Sequence, residues 1–332
     1  MLSWAVPFYL LACLMALSLT DSASAEHSVT IGISSWIGNG PLLVATHFGL
    51  FKKYGVKVSL IHFNNSSDVL DAVASGNLDG ATPSLDQVVL AASHGMPIKI
   101  VMPLDVSKGA DAIIAKDDIA NVSALSGHKI VYEYDSPSEL LLAYALAKNG
   151  VNMHSIRGIN TPAGYVPAAL ASGSVAVGVT WQPHVSQALA LDGGKEFHVV
   201  FSSKNALGLI SDTLVFNTTF INRNPKDILG VIQGYLAGLS YIEHNNSEAM
   251  NIIANGLGVT DETAKEDYSG VENIPLSKMP SFFKNDSSLW SYYSTGNIIF
   301  KILINDGILN KSHIPPIANI VDDKFVARLE QK

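Results

Sequence analysis

Six groups of polar and aromatic side chains have the types and spacing to hold a small polar molecule. They are Ser34-Ser35-Trp36, Ser84 with Asp86, Asp105 with Ser107, Lys108 and Asp111, Tyr134 and Ser136 beside Glu133 and Asp135, Trp181, and Asp212 alone inside the apolar run 209–216. Their chemistry is recognition. Hydroxyls and free backbone N–H groups at a helix start can hold oxygen-rich groups, and carboxylates take N–H donors and cations. An indole stacks on a flat or apolar ligand face while donating one hydrogen bond. A carboxylate in an apolar run is costly unless paired, so Asp212 either meets a ligand or pins a hinge. The others have local readings as well. Ser84 and Ser136 sit at N-cap positions, Asp86 falls in a first helical turn where the dipole favours it, and either tryptophan could fill a core. The 105–111 stretch is also a turn composition.

Catalysis has less to work with. Cys13 is the only cysteine, so the chain beyond it has no disulfide, thiol nucleophile or cysteine-built metal site. The histidines, among them His47, His62, His94, His128, His154, His184 and His198, are scattered, with no pair at metal-ligand spacing. The expectation is a protein with no catalytic residues, no cofactor and no metal. The formal net charge of −8 is spread without an acidic or basic block, which gives no footprint for nucleic acid.

Ligand charge can be weighed as well. An anion is best held by arginine, whose planar fork donates paired hydrogen bonds, yet Arg157, Arg223 and Arg328 stand next to none of the candidate groups. Lys108 is the one cation among them, against Asp86, Asp105, Asp111, Glu133, Asp135 and Asp212. The residues therefore point to a zwitterionic, neutral or cationic ligand.

Short β-rich runs alternate with helical patterns, the signature of an α/β protein with parallel strands. Strands are expected over 29–33, 56–63, 78–82, 98–104, 110–115, 129–134, 156–159, 175–180, 199–201 and 209–216. The plan repeats: Leu70 to Gly76 resembles Pro167 to Gly173, each a helix closed by glycine and followed at once by a strand. Two such halves make two lobes, and open sheets bind ligands outside the carboxyl ends of their strands, where the candidate residues stand. The expected division is residues 26–112 in a first lobe, 113–208 in a second and 209–332 returning to the first with a helical tail. The crossings at 105–111 and 203–208 would act as hinges, with Gly109 absorbing the backbone change.

At the amino terminus an apolar stretch over 5–19 is followed by Thr20, Asp21 and Ser22, then Ala23-Ser24-Ala25. That is the pattern of a signal peptide cleaved after Ala25, too short to span a bilayer comfortably. Leu10-Leu11-Ala12-Cys13 loosely matches a lipoprotein signal, the weaker reading because apolar sequence continues past Cys13. The expected location is periplasmic or extracellular.

The segment Ile33-Ser-Ser-Trp36, with Gly38 and Pro41 following, then Gly49-Leu-Phe51 and Tyr54-Gly55-Val56, resembles the N-terminus of the nitrate-, sulfonate- and taurine-binding proteins of ABC importers. Ala74-Ser-Gly-Asn-Leu-Asp-Gly80, Asp105-Val-Ser-Lys-Gly-Ala-Asp111, Leu125-Ser-Gly-His-Lys129 and Thr180-Trp-Gln-Pro183 are similar to later landmarks of that family. Many relatives carry Glu or Asp after the last tryptophan, where this chain has Gln182. The resemblance implies a type II periplasmic-binding-protein fold, with two parallel or mixed sheets flanked by helices and a ligand cleft between the lobes. It also implies a monomer that captures a small molecule of the sulfonate, taurine, nitrate or thiamine-pyrimidine type for an ABC permease. The alternatives on that fold are an enzyme resembling a pyrimidine synthase and an exported sensor.

Overall fold

The computed structural model describes residues 27–331; the expected signal segment and Cys13 lie outside them. Eleven strands form two sheets. In chain order they are β1 His27–Ser34, β2 Val56–Phe63, β3 Gly80–Ala81, β4 Ile98–Ser107, β5 Asp111–Lys116, β6 Lys129–Tyr132, β7 Arg157–Asn160, β8 Val177–Trp181, β9 Phe197–Ser202, β10 Ser211–Asn217 and β11 Val271–Asn273. One sheet has the order β11-β4-β10-β3-β1-β2, the other β7-β6-β8-β5-β9.

The first sheet grows by strand–helix–strand units. Val29, Ile31 and Ile33 of β1 alternate into the core, and β1 pairs in parallel with both β2 and β3. Gly32 lies under the helix Asp68–Ala74, where a Cβ would come within 2.3 Å of Val69 and 2.7 Å of Leu78. Only a residue without a side chain lets that helix settle onto the strand.

The sheets are mixed, one of the two arrangements expected, and not the wholly parallel one. β10 runs antiparallel to β3 and β4, and β5 antiparallel to β8 and β9. The physical reason is the chain path. β4 leaves the first sheet at Ser107 and β5 enters the second at Asp111; the return runs from β9, ending at Ser202, to β10, beginning at Ser211. Each crossing strand then runs against the strands beside it in the sheet it enters. The expected strand over 78–82 shrinks to Gly80–Ala81, because Asp79 turns back to accept from the Thr30 N–H and hydroxyl.

The tail from Pro225 is mostly helical and also carries the short strand β11. Its first helix, Pro225–His244, lies against the helix Gly40–His47. A Cβ on Gly238 would stand 2.1 Å from the Pro41 carbonyl, so the close approach depends on that glycine. The buried Tyr235 of the same helix donates to the Leu104 carbonyl of β4 at 2.7 Å, tying the tail to the sheet.

Candidate ligand-binding site

The carboxyl ends of β1, β3 and β8, the start of β5 and the near end of β10 converge on one small void between the sheets. Strand register places its residues. Asp212 lies opposite Asp105 of β4 on one side and bridges Ser84 on the other, while Asp111 lies opposite Trp181 of β8. Of the residues expected at a ligand, Ser34, Trp36, Ser84, Asp111, Trp181 and Asp212 line this void together.

The remaining candidates stand apart from its wall. Ser35 lines a neighbouring hollow, and its carbonyl accepts from Trp181 Nε1 at 3.1 Å. Asp105 is buried behind Trp36, whose Nε1 donates to its two oxygens at 3.3 and 3.4 Å. Ser107 belongs to the crossing: its hydroxyl is 2.7 Å from that of Ser203, which also accepts from the Gly109 N–H. The two chain crossings are thus bonded to each other, and Gly109 takes the positive φ of 124° between them. Tyr134 packs on Tyr132 with ring centroids 5.0 Å apart. Ser136 caps the helix Pro137–Lys148, accepting from the Ser138 N–H and donating to the Glu133 carbonyl.

Ser66, Thr82, Gln87, Pro137 and Ile210 also line the void and were not among the expected residues. Thr82 and Ser66 carried the same signal as Ser34, since each follows a strand end of the first sheet. Gln87 was legible as the partner of Ser84, and the two form a capping box.

Direct bonds join the lobes across the cleft. The Ser66 N–H and hydroxyl both donate to Glu133 Oε1, the former at 2.7 Å, and Glu133 Oε2 accepts from the Ala163 N–H. Gln87 Nε2 donates to Ser66 Oγ and to the Asp135 carbonyl. Ile37 donates to the Gln182 carbonyl, and the Ser186 hydroxyl to Asp267 of the tail. In the described arrangement the cleft is bridged by these direct bonds.

Its electrostatics are acidic. Burial pushes the Asp105 carboxyl up to about 8, Asp111 to about 7 and Asp86 to about 6. Asp212 is raised well above the ordinary aspartate value by burial and by Asp105, Asp111 and Asp86 around it. The cation expected nearby is elsewhere: Lys108 pairs with Glu272 at 2.9 Å on the exposed side of the crossing. No residue lining the void is Lys, Arg or His. Among the described residues no group of three or more His, Cys, Asp or Glu is placed to hold a metal ion.

Residues 22–257 match the family model described as the NMT1-like family. The putative aliphatic sulfonates-binding protein of Escherichia coli K12 is 23% identical over 253 residues, 75% of this chain and 78% of that one. The alkanesulfonate-binding protein SsuA of Xanthomonas axonopodis pv. citri, solved with MOPS bound, superposes with a TM-score of 0.74 at 17% identity, over 89% of this chain and 98% of that one. A Candida albicans protein described as having the generic periplasmic-binding-protein fold gives 0.69 at 15% identity, over 89% and 96%. These likenesses make the two-sheet architecture a periplasmic-binding-protein fold.

Proposed function

The chain belongs to the NMT1-like family, and from that premise we propose that it is the solute-binding component of an ABC importer. It is exported, captures a small polar organic molecule between its two lobes and presents it to a membrane permease. Relatives are named for sulfonates, taurine and nitrate, and this chain's solute is of that broad small-molecule range or of the thiamine-pyrimidine type, with its charge set by the residues at the void. The first lobe is built on β1–β4, β10 and β11, the second on β5–β9, and the two crossings are the hinge.

One observation carries this reading: strand ends of both sheets meet at a single void, and the lobes bond across it through Ser66–Glu133, Gln87–Asp135 and Trp181–Ser35. Such bonds form only when the lobes close, and a solute bridging both walls favours that state by its differential affinity. Ser34, Trp36, Ser84, Asp111, Trp181 and Asp212, with Ser66, Thr82 and Gln87, are the residues proposed to face it. Relatives named as binding proteins favour this reading over an enzyme on the same fold; the lining offers carboxylates, hydroxyls and indoles with no thiol or imidazole. His184 stands in the hollow alongside, its Nδ1 3.0 Å from Gln187.

Small-angle scattering tests the closure. Protein unfolded, dialysed free of small molecules and refolded should have a larger radius of gyration than protein purified natively with its solute. Equal radii at all solute concentrations, with binding shown independently, would mean a rigid pocket.

A further inference from the structure

The polar atoms at the void separate into those already spent and those left over. Ser66, Ser84 and Gln87 bond to one another and to Glu133 and Asp135. Both indole N–H groups are also spent, Trp36 on Asp105 and Trp181 on Ser35. Indole has no other polar atom, so these two rings offer a ligand only their apolar, electron-rich surface. The leftover polar atoms are carboxyl and hydroxyl oxygens, the carboxyls pure acceptors once ionised. Asp111 is 2% exposed and its Oδ2 has no partner; Thr82 is 7% exposed and its Oγ1 has none. Asp212, 9% exposed, rests against like-charged neighbours.

A bound anion would be served by helix N-termini; two of those beside this void are occupied, whereas the short helix Ile37–Asn39 after Trp36 has no side-chain cap. The helix Leu85–Ser93 opens with a Ser84–Gln87 capping box and carries Asp86 in its first turn. The helix Pro137–Lys148 opens with a proline that has no N–H, a Ser136 cap and Glu139. A metal ion is disfavoured by the absence of a ligating cluster among the described residues.

We propose that the void takes a compact organic cation bearing N–H donors, an ammonium or amidinium, whose donors are shared between Asp111 and Asp212 and whose body lies against Trp36 and Trp181. The inference rests on the solute-binding reading and names its substrate class. Two carboxylates supply charge-assisted acceptors, the Thr82 hydroxyl a neutral one, and the indole faces attract positive charge through their quadrupole. Binding ionises carboxylates that burial holds protonated. The groups facing Asp212 are Asp105 from β4, Asp111 from β5, Asp86 from the helix after β3, Tyr235 from the helix Pro225–His244 and Tyr292 from the helix Tyr292–Asn305. A cation therefore releases protons on binding, and its affinity rises with pH from 5.5 to 8.

The test is calorimetric titration of the full mature chain, stripped of small molecules, with acetamidine, benzamidine, n-butylamine, tetramethylammonium, taurine, ethanesulfonate and nitrate. An amidine or the amine should bind, with tetramethylammonium, which lacks N–H donors, at least about tenfold weaker. Comparison of buffers with different ionisation enthalpies should show proton release. Asp212→Asn and Asp111→Asn should each weaken the amidine or amine about tenfold or more, with native circular dichroism retained. Should either variant fail to fold, the tetramethylammonium comparison and the proton release in the wild type carry the test. Binding of ethanesulfonate or nitrate without amines or amidines would overturn the cation inference and leave the solute-binding reading standing. Binding of none of the probes would overturn the inference as well, and the mass of natively purified protein then decides the broader reading.

Discussion

Replacing Asp105 by Asn should stabilise the protein at neutral pH and destabilise it in acid. Asp105 is 1% exposed, and burial raises its carboxyl from 3.8 to about 8. Between those values the folded protein holds a proton that the unfolded chain has released, so stability is fully present below 3.8 and is lost as pH rises through about 8. The slope is about 1.4 kcal/mol per pH unit, or about 4 kcal/mol lost by pH 7. An asparagine does not titrate. Its amide oxygen still accepts from Trp36 Nε1, while its new NH₂ brings two donors into a buried site, at a cost of about 1–3 kcal/mol if they go unpaired. The net expectation is a gain of about 1–3 kcal/mol at pH 7 and a loss of similar size at pH 4. Urea unfolding followed by tryptophan fluorescence at pH 4, 5, 6, 7 and 8 measures it. The difference between the two proteins reports Asp105 together with its charge coupling to Asp111 and Asp212. A constant difference across that range would show that Asp105 is ionised in the folded protein and refute the reasoning.

Glu133→Ala removes the acceptor of the Ser66 N–H, the Ser66 hydroxyl and the Ala163 N–H; the closed state should lose about 2–3 kcal/mol, read as a roughly 30- to 150-fold weaker solute affinity and a larger radius of gyration. Trp181→Leu keeps an apolar wall but loses the bond to the Ser35 carbonyl and the indole face; tryptophan quenching by solute should fall, and affinity should drop about tenfold. Gly32→Val should destabilise by several kcal/mol, because its side chain would enter the space of Val69 and Leu78; an unchanged melting temperature would contradict the packing described. Sequencing of the exported protein should begin at Glu26, and an acylated Cys13 at its start would overturn that cleavage.

The alternation of strands and helices, the two-part plan and the crossings were legible in the sequence because each follows from local chemistry: apolar runs, glycine helix ends and polar turns. Strand direction was not, since nothing in residues 110–115 or 209–216 states whether a chain enters a sheet along or against its neighbours. The short strand Val271–Asn273 carries too little pattern to be seen at all. At the site, residues that follow strands were readable by position, and Ser34, Trp36, Ser84, Asp111, Trp181 and Asp212 do meet at one void. Position could not separate them from Asp105, whose carboxylate turns under Trp36, or from Ser136, which completes a helix cap. Nor could it show Ser66 reaching the second sheet's Glu133, a contact between residues 67 positions apart.

Native mass spectrometry of protein exported by its own cells and purified without denaturation tests the central claim most directly. A solute-binding protein with this bridged cleft should carry one small organic molecule per chain, lost on unfolding and absent after refolding. A spectrum showing only the bare chain, together with no binding to amines, amidines, sulfonates, taurine or nitrate, would contradict the account.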